Sequence, residues 1–230
     1  MRLMQRPVWL AAALLLSLAL GSARGDDERP FSVAEKTLFM DDHFHQFGKK
    51  PVTLRYTFRK TGSLEAPYTD EAWVDVKPAT GEAPGHAVST RFLTKDHQLD
   101  LPDISSAEGN PVIMYFLERD VREMQRVTKG QANYYRKRIR LALADSADVK
   151  PFKFKFAGKE LNGTEITVYP YLDDPAKSRF ARYADKTYRF ILSDQVPGTV
   201  YEMHTLMRDS SPGGDGKPLI DETLTFADAK

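Results

Sequence analysis

The sequence predicts an α+β fold: a mainly antiparallel, strongly curved, half-barrel-like sheet packed on one long helix at about 111–128, with a short helix at about 175–184. Two observations carry this. Most segments alternate apolar with polar residues and are joined by short connections, so the strands arrive as hairpins and pair antiparallel. One segment, Val112 to Thr128, has a helical period instead.

The chain opens on a charged stretch with Arg2 and Arg6, an apolar run from Val8 to Leu20, and small residues at Gly21, Ser22, Ala23 and Gly25. This is the pattern of a secretory signal peptide over 1–25, leaving 26–230 as one α+β domain. The apolar run is short for a membrane span, and no later stretch approaches it, so the processed chain is expected not to span a membrane. Cysteine is absent. That excludes lipid anchoring through a cysteine, disulfides, thiol catalysis and cysteine-ligated zinc. An exported chain without cysteine points to the bacterial periplasm, or to secretion.

The whole chain carries 33 Lys and Arg against 32 Asp and Glu. Loss of Arg2, Arg6 and Arg24 with the signal region leaves a net charge of about −2. Nothing in that balance calls for nucleic acid.

Residues 26–47 read as a leader arm, partly a short helix or an extended segment. Within it, Asp41, Asp42, His43 and His45 place two carboxylates beside two imidazoles, a weak metal-ligand pattern that a solvated turn or an N-cap near Asp41 explains better. Pro51 to Phe58, Ala72 to Val76 and His86 to Thr94 alternate as strands. Asp96 to Gly109 is polar and loop-like.

Asn110 and Pro111 are good residues for a helix start, and Gly130 for its stop. Between them Ile113, Phe116, Leu117, Val121, Met124 and Val127 share one helical face, and Arg119, Arg122 and Arg126 share another. Asp120 falls in the apolar stripe. A buried carboxylate is costly unless paired. Residues 131–144 then read as a long basic strand, with Tyr135, Lys137, Ile139, Leu141 and Leu143 on one side and Arg136, Arg138 and Arg140 on the other. Lys137 intrudes on the apolar side as Asp120 does, so the two are expected to pair across the helix–sheet contact. The arginines of both elements (Arg119, Arg122, Arg126, Arg136, Arg138, Arg140) form a candidate surface for anions or a partner protein.

Phe152, Phe154 and Phe156 alternate with lysines, and Asn162-Gly163 signals a hairpin turn to Thr164–Tyr169. The short helix follows Asp173-Asp174-Pro175. Lys186–Ser193, Thr199–Met207 and Leu219–Phe226 complete the strands, and Ser210–Lys217 is a glycine-rich loop without phosphate-loop context.

No motif of a serine hydrolase, zinc peptidase, phosphate-binding loop or dinucleotide fold is present, and no cofactor is called for. The order of elements is similar in outline to the lipoprotein carriers of the periplasm, in which an open half-barrel holds a helix in its mouth. The likeness is one of architecture and assigns no residue a role. It implies an exported binding or carrier protein without catalysis, holding a lipid or other apolar or anionic amphipathic ligand between sheet and helix. Two other readings remain open at this stage. One is a metal-dependent hydrolase using Asp41–His45. The other is a structural partner of another envelope protein.

Overall fold

The computed structural model describes residues 29–80, 84–209 and 215–230. The expected signal peptide lies outside them, as does most of the glycine-rich loop.

Among the described residues the nine strands are β1 (Val52–Thr61), β2 (Tyr68–Pro78), β3 (His86–Phe92), β4 (Ile104–Ala107), β5 (Asp148–Phe156), β6 (Lys159–Val168), β7 (Thr187–Leu192), β8 (Val200–Arg208) and β9 (Pro218–Ala229). They form one sheet in the order β4-β3-β2-β1-β9-β8-β7-β6-β5, with every neighbour antiparallel. Two meanders are thus joined at the centre by the first and last strands. Register shifts at Arg55/Tyr56, Ile191/Leu192 and Met207/Arg208 sit in the central strands. Bulges of this kind increase twist and let an open sheet curl.

Alternation decides which face is buried. Leu54, Tyr56 and Phe58 of β1 point to the core, as do Leu224 and Phe226 of β9, Met203 of β8, Tyr188 and Phe190 of β7, and Ile166 and Val168 of β6. Three helices lie among these elements: α1 (Val33–Phe39), α2 (Val112–Thr128) and α3 (Ala132–Asp145). α2 packs toward β3 and along α3, α3 toward β6, and α1 against α3. α2 buries Ile113, Phe116, Leu117, Val121 and Met124, each a side chain whose burial contributes about 1.5–3 kcal/mol.

α1 resolves the ambiguous leader arm. Ser32 and Glu35 cap each other's backbone in a capping box, and the Ser32 hydroxyl donates to Leu143 O (2.9 Å), tying α1 to the end of α3. α2 starts one residue later than expected, with Pro111 at the N-cap position and Val112 N–H donating to Asn110 Oδ1 (3.2 Å). It stops at Lys129, which takes the left-handed conformation (φ 59°).

Four sequence expectations change. Residues 132–145 are the helix α3 and not a strand. The period-2 run of arginines masked a helical set, Tyr135, Ile139, Ala142 and Leu143, which is the set that is buried. The β5–β6 turn falls at Ala157-Gly158, both at positive φ, and Asn162-Gly163 lies inside β6. Gly163 is there for close approach: a Cβ at that position would stand 2.4 Å from Leu192 O. The loop-like segment before α2 also contributes the short edge strand β4. The short helix after Pro175 is a 3-10 segment, Lys177–Tyr183, broken at Phe180.

Candidate functional site

The inner face of the sheet is apolar along most of its length and charged along one row. Lys60 of β1 and Glu222 of β9 are register partners there, each 1% exposed. Lys186, immediately before β7, is 0% exposed. Over this row lies the C-terminal half of α2, which supplies Arg119, Asp120, Glu123 and Arg126. Glu65, from the β1–β2 connection, closes its outer end. Four cations therefore meet four carboxylates in one seam. Main-core residues lie on one side of the row, and a small apolar group of Met207, Leu219 and Ile220 with Leu64 and Tyr183 lies on the other.

The contacts form a chain from solvent to interior. Glu123 is gripped by both arms of the Arg126 guanidinium (2.9 and 2.7 Å). Lys60 Nζ reaches Glu123 (3.4 Å), Glu222 (3.1 Å) and Glu65. Arg119 binds Glu222, donates to Tyr68 Oη (3.0 Å) and lies over the Phe58 ring at 4.8 Å. Deepest is Asp120, which contacts Lys186 and accepts from Tyr188 Oη. Tyr171 Oη follows at 3.4 Å from Tyr188 Oη.

The titrations diverge within the row. Burial works to raise Glu123, but the Arg126 hydrogen bonds and the Lys60 charge outweigh it and hold the carboxyl down to about 2. Glu222 is also lowered: against its burial stand Arg119, Lys60 and Lys186. Asp120 goes the other way. Its burial, with the nearby Glu222 charge, exceeds the help of Lys186 and Tyr188, and its pKa is raised. Burial and then the Asp120 charge push the Tyr188 and Tyr171 phenols well up.

Sequence reasoning singled out Asp120 as an intruding charge and assigned it the wrong partner. Lys137 is exposed on α3, while the residue against Asp120 is Lys186. The expected pair rested on a strand where there is a helix. Lys60, Lys186 and Glu222 were not singled out, although strand parity marks all three; in the expected strand Lys186–Ser193, Lys186 shares a face with Tyr188 and Phe190. Lys60 shares a face with Phe58, and Glu222 with Leu224 and Phe226.

The arginine surface is largely answered from within the chain. Arg119 and Arg126 belong to the row. Arg122 reaches Glu118 at 3.5 Å, and Arg136 binds the same carboxylate through two nitrogens (2.8 and 2.6 Å). Arg138 meets buried Asp174 at 3.0 Å, which also accepts from Tyr134. Among the described residues Arg140 has no carboxylate within ion-pair distance and is exposed.

The Asp41–His45 group does not converge. His43 is buried, its Nδ1 accepting from Asn110 N–H (2.9 Å) and its Nε2 facing Thr37 O (2.8 Å), so the proton sits on Nε2 and neither nitrogen is left for a metal. Burial lowers its pKa and favours this neutral form. Asp42 caps Phe44 N–H (2.9 Å), and His45 folds onto Asp42 O (2.8 Å). Among the described residues no group of three or more His, Asp or Glu is placed to hold a metal. His43 is a joint between α1 and the start of α2.

Comparison with known proteins adds distant likenesses of chain course. No family model matches, and no curated protein matches in sequence. The crystal structure of the Mycobacterium tuberculosis lipoprotein LppX is similar over 80% of this chain and 90% of its own, at 10% identity and a TM-score of 0.31. That of a LolA superfamily protein from Nitrosomonas europaea is similar over 86% and 89%, at 12% identity and a TM-score of 0.21. Neither transfers a residue or a ligand to this chain.

Two grooves open elsewhere. One of about 450 Å³ lies on the outer sheet face among Lys150, Glu165, Tyr169, Arg189 and His204, and one of about 240 Å³ lies beside the stacked rings of Tyr68 and His97. Neither is lined by α2. In the seam between α2 and the sheet, Phe58, Phe116, Val121, Met124 and Tyr188 are all buried. Among the described residues no helix is long and apolar enough to cross a membrane.

Proposed function

We propose that this chain is an exported binding or carrier protein of the bacterial envelope, without catalysis, whose ligand is amphipathic and enters the seam between α2 and the curved sheet. The observation that carries this reading is the charged row within that seam. An apolar seam opens only by exposing hydrocarbon to water. An ionic row regains hydration when it opens, and buried ion pairs add little net stability over apolar packing. A seam of this mixed kind is closed by the protein's own groups and is exchangeable. A ligand with an apolar body replaces α2 side chains against Phe58, Tyr188 and Phe190, while its polar end stays with the row.

The export signal over 1–25 and the absence of cysteine support an envelope setting. The internal pairing of His43 and His45 favours this reading over a metal hydrolase. The test is purification from the native host without detergent, followed by extraction and lipid mass spectrometry. One class of co-purifying amphiphile, exchangeable for added lipid, is expected. A protein that carries none and takes up none from anionic or neutral vesicles ends the proposal.

A further inference from the structure

The row ends in a carboxylate unlike its other three. Glu65 is 39% exposed, whereas Lys60, the cation it covers, is 1% exposed. Its two oxygens divide between Lys60 Nζ and Arg126 Nη2, the latter at 3.5 Å. Lys60 does not depend on it, having Glu222 and Glu123 as well. Nor does the loop that carries it. Ser63 N–H and Leu64 N–H donate to Pro218 O and Leu219 O (3.1 and 3.2 Å). Gly62 (φ +123°) sits so close to β9 that a Cβ would stand 2.3 Å from Leu219 O. The Glu65 side chain can therefore swing into water while its backbone stays pinned.

With Glu65 away, the outer row holds Lys60, Arg119 and Arg126 against Glu123 and Glu222, and Asp120 remains matched to Lys186. One positive charge is left over, beside a half-exposed guanidinium that gives two of its five N–H donors to Glu123 and keeps others for an oxyanion in the place of Glu65. On the carrier reading above, we infer that Glu65 is an internal occupant of an anion site, and that the ligand is an amphiphile with a singly charged carboxylate or phosphodiester head which displaces Glu65 from Lys60 and Arg126. Its tail then continues into the α2 seam. Glu65 lowers apparent affinity by the fraction of time it holds the site.

The experiment titrates the full chain and its Glu65→Gln and Arg126→Gln variants with three twelve-carbon probes: dodecanoate, a dodecyl phosphodiester and dodecanol. Binding is read by calorimetry and by the 13C shift of labelled dodecanoate. Both variants alter partly exposed side chains, and thermal melting checks their fold. Glu65→Gln is expected to tighten the charged probes on the order of tenfold and leave dodecanol unchanged. Arg126→Gln is expected to weaken the charged probes alone. The charged probe that gains more identifies the head as carboxylate or phosphodiester. Equal binding of all three probes to all three proteins overturns the anion site and leaves the carrier reading standing. Absence of binding by any probe overturns both.

Discussion

Asp221 and Glu222 are neighbours on β9 and face opposite environments. Asp221 looks outward to His204 at 2.9 Å, with its side chain 25% exposed. Glu222 looks inward to Lys60 and Arg119 and is 1% exposed. The contrast holds across the adjoining strands. On the outer face Arg189 meets Glu202 (2.5 Å) and Lys150 meets Glu165 (3.0 Å); on the inner face Tyr188 and Lys186 hold Asp120. The residue types are the same on both sides. Outside, Arg189 and Lys150 keep a third to a half of their side-chain surface in water, so solvent can replace a lost partner, although Glu165 between them is itself buried. Inside, the buried charges of Lys60, Asp120, Lys186 and Glu222 are answered only by protein, so they behave as one coupled object.

The largest test of that contrast is Glu222→Gln. Arg119 cannot neutralise itself by losing a proton, so it stays charged with its counter-ion removed. A loss of about 3–5 kcal/mol in denaturant unfolding is expected. A loss below about 1 kcal/mol would mean that the row is effectively solvated, and the two faces would no longer differ. Lys186→Met comes next, costing roughly 2–4 kcal/mol by stranding Asp120, and adding Asp120→Asn should recover most of it. Simple additivity of the two changes would show that they are not a pair.

Acid sharpens the comparison further. Glu123 has its folded pKa lowered from 4.5 to about 2. Its contribution is complete above 4.5 and is lost as pH falls toward 2. Glu123→Gln should therefore be less stable than the parent at pH 7, by roughly 1–3 kcal/mol, with the gap closing between pH 4.5 and 2. A gap that does not change with pH would remove Glu123 from the row's electrostatics. Asp120, with its pKa raised, has the opposite sign, since its ionisation on going to higher pH opposes folding. The smallest effect belongs outside. Arg189→Ala should change stability by less than about 1 kcal/mol, and added salt should shrink even that.

What could be read from the sequence follows the same division between local and non-local information. Period-2 alternation in β1, β5, β7, β8 and β9 is local and legible, and so is the amphipathic face of α2 with Asp120 inside it. α3 was obscured because Arg136, Arg138 and Arg140 alternate at period 2 on a segment whose buried residues repeat helically. Partner choice was the least legible. Lys186 opens the strand expected over Lys186–Ser193, where an end lysine is ordinary, and only the packing of α2 over the start of β7 brings it to Asp120. Lys60 and Glu222 stand toward one end of alternating strands, where polar residues are ordinary. Their parity with Phe58 and Leu224 was the available signal, and it becomes decisive only once β1 and β9 are known to be adjacent.

That adjacency has a consequence for how the chain folds. β1 to β4 and β5 to β9 can each assemble from near neighbours in the sequence. The seam between them joins Thr53 to Lys230 in both directions, N–H to O at 2.8 Å and 3.0 Å, and closes nearly the whole chain into a loop. Such closure carries the largest entropic cost and slows the search. It also brings Lys60 to Glu222. The Lys60–Glu222 link of the ionic row therefore depends on the least local pairing of the sheet and closes with it, as a latch and not as a seed.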